Sequence, residues 1–96
     1  MNSCIEKLLT IITESDIEEH IIKDVEVLGA KGYTITSVLG KGERGKRNAI
    51  WSNNSNIKIE IISDSEICNN IVQHLQNNYI KNYAMIFFIA EVNIFR

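Results

Sequence analysis

The chain has 96 residues, 45% hydrophobic and 23% charged, with ten Lys and Arg against twelve Asp and Glu. That is the composition of one soluble globular domain, 1–96: too apolar for disorder, and without the ~18 consecutive apolar residues of a membrane span. The net charge of -2 argues against general nucleic-acid binding. No basic stretch leads into an apolar one near the start, so no signal peptide is expected. Cys4 and Cys68 make no disulfide framework, and the expected setting is the reducing cytoplasm.

Residues 6–13 alternate as a strand, with Leu8, Thr10 and Ile12 on one face and Leu9, Ile11 and Thr13 on the other. A helix follows. Ser15 is its expected N-cap, and Glu18 completes a capping box. Ile17, Ile21, Val25 and Leu28 fall on one stripe, and Gly29 or Gly32 ends the helix. Residues 33–39 form a strand rich in β-branched side chains. Residues 40–56 hold three glycines and show no period, which predicts a long loop. Residues 57–62 alternate as a strand. Ser63 or Ser65 is expected to cap a second helix, with Ile67, Ile71, Leu75 and Ile80 on its apolar stripe. Residues 83–93 form the last strand, unbroken in apolar character from Met85 to Ala90; Phe87 and Phe88 are expected in the core.

The order βαββαβ predicts an α+β, ferredoxin-like sandwich, with two helices on one face of an antiparallel sheet. The first and last strands are apolar on both faces, and such strands are covered on both faces. With both helices already used, a second copy of the chain is the expected cover. Each large side chain buried there would contribute about 1.5–3 kcal/mol.

Charge is uneven. Between Glu6 and Glu26 seven acids stand against two lysines, whereas Lys41 to Arg47 carries four bases and one acid. Gly40, Gly42 and Gly45 match a dinucleotide fingerprint, but no helix start follows them. Gly40, Gly45 and Lys46 match a P-loop, but Arg47 stands where Ser or Thr would hold magnesium. Both motifs are rejected. Their shared physics remains: glycines admit backbone N–H groups to an anion, and Arg44 and Arg47 can fork onto phosphate. An idle basic loop is the alternative at this point. Trp51, in the same loop, can stack on a base, anchor a partner or pack on its own subunit, and the last is the commoner fate. Cys4, Cys68, His20 and His74 lack zinc spacing, and both histidines read as ordinary helix residues. No catalytic constellation can be argued, so the chain is expected to be no enzyme and to need no metal or cofactor.

The block Gly29-Ala30-Lys31-Gly32-Tyr33-Thr34, a strand, and then Gly40-Lys41-Gly42 with Arg44 and Arg47 resembles the PII-like signalling proteins of the SbtB type. Residues 57–61 and 83–92 fit the same family, so the likeness covers nearly the whole chain. It implies a homotrimer with sheets facing inward and adenine nucleotides (cyclic AMP, AMP, ADP or ATP) bound between subunits. It implies that Gly40, Lys41, Gly42, Arg44, Arg47 and Met85 line the nucleotide site. The segment 41–56 would be the T-loop, with Lys46 and Trp51 on the partner side. The implied partner is an SbtA-type bicarbonate transporter, which would bring a cytoplasmic protein to the membrane surface. Relatives carry Gly at the position of Met85 and Ser at that of Glu43. Those two departures support a second reading, a scaffold or carboxysome-associated protein with reduced nucleotide sensing. Disulfide control through a C-terminal extension is not expected.

Overall fold

A computed structural model describes residues 3–39 and 55–96. Strand β1 is Ser3–Glu14, helix α1 Glu18–Val27, strand β2 Thr34–Val38, strand β3 Asn56–Ser63, helix α2 Ser65–Asn78 and strand β4 Met85–Phe95. The strands form one sheet in the order β2-β3-β1-β4, antiparallel at every join. This is the ferredoxin-like α+β fold that the element order predicts.

The alternation of β1 sets the two faces. Leu9, Ile11 and Thr13 are fully buried, and Leu9 and Ile11 pack with Ile57, Ile59 and Ile61 of β3 in the core. Ile21 and Val25 of α1 and Cys68, Ile71 and Leu75 of α2 close that core from above, each fully buried. The predicted stripes are therefore the packed ones. Leu28 and Ile67 flank the core half-buried, and Ile80 packs against it from beyond the end of α2.

The helix starts differ from expectation. Ser15 caps nothing: the chain leaves β1 through a short 3-10 turn, Ser15–Ile17, and no side chain caps either that turn or α1. The Ser15 backbone N–H instead bonds the Ser55 carbonyl at 3.1 Å. Glu18 and Glu19 still stand in the first turn of α1, where the helix dipole favours them. At α2 the cap is Asp64, not Ser63 or Ser65. Its Oδ1 accepts from the Ile67 N–H at 2.8 Å. Ser63 is unsuited because it still pairs with Lys7 in the sheet. Gly29, rather than Gly32, ends α1. Its φ of +112° lets Gly29 N–H bond Glu26 O at 3.1 Å and Ala30 N–H bond Val25 O at 2.9 Å.

β4 starts at Met85, two residues later than expected, because Tyr83 and Ala84 belong to the turn after α2. Thr13 Oγ1 donates to the Ala84 carbonyl at 2.8 Å, and the Ala84 N–H donates to Glu14 Oε2 at 2.7 Å. The end of β1 thereby anchors that turn. Phe87 packs against the core, but Phe88 does not: it is 50% exposed on the opposite sheet face. Ile62 and Ile86 are exposed there as well, beside the half-buried Leu8 and Ile12.

Candidate functional site

A cleft of about 730 Å³ opens where β1, β3, the start of α2 and the link from α1 to β2 converge. Its apolar surface comes from Leu8, Ile62 and Ile67. Gly29, Gly32 and Thr34 bring backbone close to it, and Tyr33 stands at its side. Gly29 is required twice here. No ordinary side chain favours its φ, and a Cβ would lie 3.3 Å from Ile67 Cδ1. The acids Glu6, Glu60 and Asp64 and the bases Lys31 and Arg96 supply the charge. Arg96 Nη1 lies 3.2 Å from Glu6 Oε2. The Cys4 thiol donates to the same Glu6 oxygen at 3.4 Å.

The Tyr33 hydroxyl donates to Glu26 Oε2 at 3.1 Å, and that bond to a carboxylate raises its pKa above the usual 10.0. An apolar floor ringed by a few polar groups, within the usual volume of ligand pockets, suits a flat organic body with hydrogen-bonding edges.

The cleft meets β2 at its first residue. Thr34 pairs with Glu60 beside the cleft, and Val38 pairs with Asn56 at the other end of β2. At about 3.3 Å per residue the two pairs are ~13 Å apart. Gly40, Lys41, Gly42, Arg44, Lys46, Arg47 and Trp51 all fall outside the described residues. Met85 lies among the described residues. Its side chain is 1% exposed, sits in the core and lines no part of the cleft. The reason is register: Met85 pairs with Thr13, which puts it on the helix-covered face.

Gly29, Lys31, Gly32, Tyr33 and Thr34 of the cleft come from the block that carries the resemblance, whereas Glu6, Glu60, Ile62 and Arg96 belong to no motif of the sequence. These last are scattered along the chain. The one available signal was alternation, which sets Glu60 and Ile62 on the same face of β3. A second cluster, also unforeseen, joins the helices. Asp24 Oδ2 of α1 accepts from the Tyr79 hydroxyl at 2.5 Å and meets His74 Nε2 at 2.9 Å. Among the described residues no group of three or more His, Cys, Asp and Glu side chains could hold a metal ion.

The sequence pattern of the family described as nitrogen regulatory protein P-II matches residues 6–96. A PII-like signalling protein of Thermus thermophilus is 37% identical, over 98% of this chain and 92% of its own, with a TM-score of 0.84. CPII of Thiomonas intermedia, a nitrogen regulatory PII-like protein with ADP, AMP and bicarbonate bound, is 23% identical over 99% and 98% of the two chains, with a TM-score of 0.83. Its form with ADP, AMP and acetate gives a TM-score of 0.85 at 22% identity, over 100% of this chain and 94% of that one. The fold, the extent of the match and the likeness to the Thermus protein lead to one conclusion: the chain belongs to the nitrogen regulatory protein P-II family.

Proposed function

We propose that the protein is a non-enzymatic regulator that binds adenine nucleotides in this cleft and signals through the segment between β2 and β3. The observation that supports the reading is the cleft itself, an apolar bed ringed by hydrogen-bonding groups beside Thr34 of β2 and Glu60 and Ile62 of β3. Leu8, Ile62 and Ile67 offer an apolar bed for a base, Glu60 and Thr34 offer hydrogen-bonding edges, and Arg44 and Arg47 would meet the phosphates. CPII, of the same fold, holds ADP and AMP. The working unit in this reading is a trimer that covers the exposed Ile86 and Phe88. A nucleotide would favour one loop state only through a difference in affinity between the two states. The partner in this reading is an SbtA-type bicarbonate transporter. None of the described helices is long and apolar enough to cross a membrane, so the protein would meet that transporter at the membrane surface.

The second reading is a scaffold with reduced nucleotide sensing, motivated by Met85 and Glu43. Titration calorimetry with cyclic AMP, AMP, ADP and ATP tests the choice. Binding that Arg44→Ala or Arg47→Ala weakens, with the oligomer intact, supports the sensor. Absence of heat and of any melting-temperature shift with all four nucleotides would leave the scaffold reading in its place.

A further inference from the structure

We propose that Glu6 is an internal competitor for Arg96 and so sets how much negative charge the cleft accepts in its ligand. This inference rests on the nucleotide reading of the cleft. Both residues line it, 90 positions apart in sequence, and their side chains meet at 3.2 Å. The two partners are unequal. The Glu6 side chain is 24% exposed and also accepts the Cys4 thiol, whereas the Arg96 side chain is 66% exposed. Glu6 is therefore the fixed partner and Arg96 the one able to swing. A guanidinium is also the cleft's best group for a phosphate, because its planar fork can bind two oxygens.

An anionic group entering here meets an arginine already neutralised and a carboxylate that repels it. The Glu6 carboxylate thus weakens anion binding in two ways, by holding the guanidinium and by adding like charge. Pairs this exposed interact weakly, so the effect is about two- to fivefold in affinity. It grows with the charge of the ligand, which makes Glu6 a selectivity residue as well as a counter-ion.

Calorimetric titration of ADP and of AMP into the wild type, Glu6→Gln, Arg96→Gln and the double variant tests this, with inorganic pyrophosphate as a base-free probe. Glu6→Ala serves as a second variant if Glu6→Gln fails to fold. The expected result is tighter ADP binding by Glu6→Gln, a smaller gain for AMP, and no gain in the Arg96→Gln background, since coupled residues give non-additive cycles. Equal or weaker ADP binding by Glu6→Gln overturns the proposal and leaves the nucleotide reading standing. So does a gain that persists undiminished without Arg96. If no nucleotide binds but pyrophosphate binds Glu6→Gln more tightly than wild type, the competition stands and the nucleotide reading falls. If nothing binds any variant, both fall.

Discussion

The Tyr79 hydroxyl and the Asp24 carboxylate meet at 2.5 Å, and this bond ties the turn after α2 to the middle of α1. His74 Nε2 lies 2.9 Å from the same Oδ2, so one carboxylate fastens two groups that are five residues apart. His74 Nδ1 is 3.0 Å from Asn78 Nδ2, so the neutral ring carries its hydrogen on Nε2. The turn held in this way runs on through Tyr83 to Ala84 and into β4.

Burial raises the Asp24 pKa, but the Tyr79 and His74 hydrogen bonds and the charges of His74 and His20 together bring it below its ordinary 3.8. A carboxyl depressed in the folded state contributes stability that is complete above 3.8 and is lost as pH falls through the folded value. Tyr79 has the opposite sign. Burial and the Asp24 bond raise its pKa, so its contribution is complete below 10.0 and is lost as pH rises through the folded value. Tyr79→Phe should cost about 1–2 kcal/mol at neutral pH, because a partly exposed carboxylate loses a donor. It should also flatten both limbs of the stability–pH curve. Urea denaturation at a series of pH values on either side of neutrality checks the cost and both slopes.

Gly29 and Gly32 separate two meanings of the same residue type. Gly29→Ala forces a side chain to φ +112° and brings Cβ to 3.3 Å from Ile67 Cδ1, and it should cost about 1–2 kcal/mol. Gly32→Ala meets nothing within 4 Å and should stay within about 0.5 kcal/mol of wild type. Denaturation midpoints of the two variants settle the comparison. Equal midpoints would show that the bend ending α1 tolerates an ordinary residue.

The fold was legible because its alternations are clean where one face is covered and the other is not. Ile57, Ile59 and Ile61 could be phased from β3 alone, where Lys58 and Glu60 alternate with them. The run Met85-Ile86-Phe87-Phe88 could not, since it is apolar at every position and a one-residue change of phase exchanges its faces. Pairing with β1 decides it: Thr13 opposite Met85 sends Met85 and Phe87 inward and leaves Phe88 exposed. The cap of α2 was hidden for a similar reason. Ser63, Asp64 and Ser65 can all cap a helix, and the choice is made by where β3 stops pairing. For the site, glycines and arginines in one short stretch left anion binding and an idle basic loop both open, and they lie outside the described residues. The cleft did not announce itself, because Glu6, Glu60 and Arg96 meet only after the sheet has formed.

Thr13 offers a test of the anchoring at the end of β1. Its Oγ1 donates to the buried Ala84 carbonyl at 2.8 Å. Thr13→Val keeps the shape and removes that donor, and should cost about 1–3 kcal/mol. Thr13→Ser keeps the hydroxyl and should lose only the methyl, about 1 kcal/mol. Hydrogen exchange should show faster opening of residues 79–84 in Thr13→Val than in Thr13→Ser. If exchange there is unchanged while stability falls, the hydroxyl matters for packing and not for holding the turn.

The exposed sheet face carries the last prediction. Ile86 at 39% and Phe88 at 50% exposure leave an apolar strip along β4 that neither helix can reach. The proposed trimer requires this strip to be buried between copies of the chain. Phe88→Arg puts a charge there without touching the core, so the fold should survive while association is lost. Sedimentation equilibrium should report about three times the 10.9 kDa of one chain for wild type and a single chain for Phe88→Arg. Ile71→Ala makes the contrast, since that fully buried residue should cost about 2–5 kcal/mol of stability and leave the strip intact. A Phe88→Arg protein that remains associated would place the interface elsewhere, and the strip would then need a different partner. If the cleft is completed by a neighbouring subunit, nucleotide binding should disappear with the trimer. A monomeric Phe88→Arg that still binds ADP at wild-type affinity would show that one chain holds the whole site.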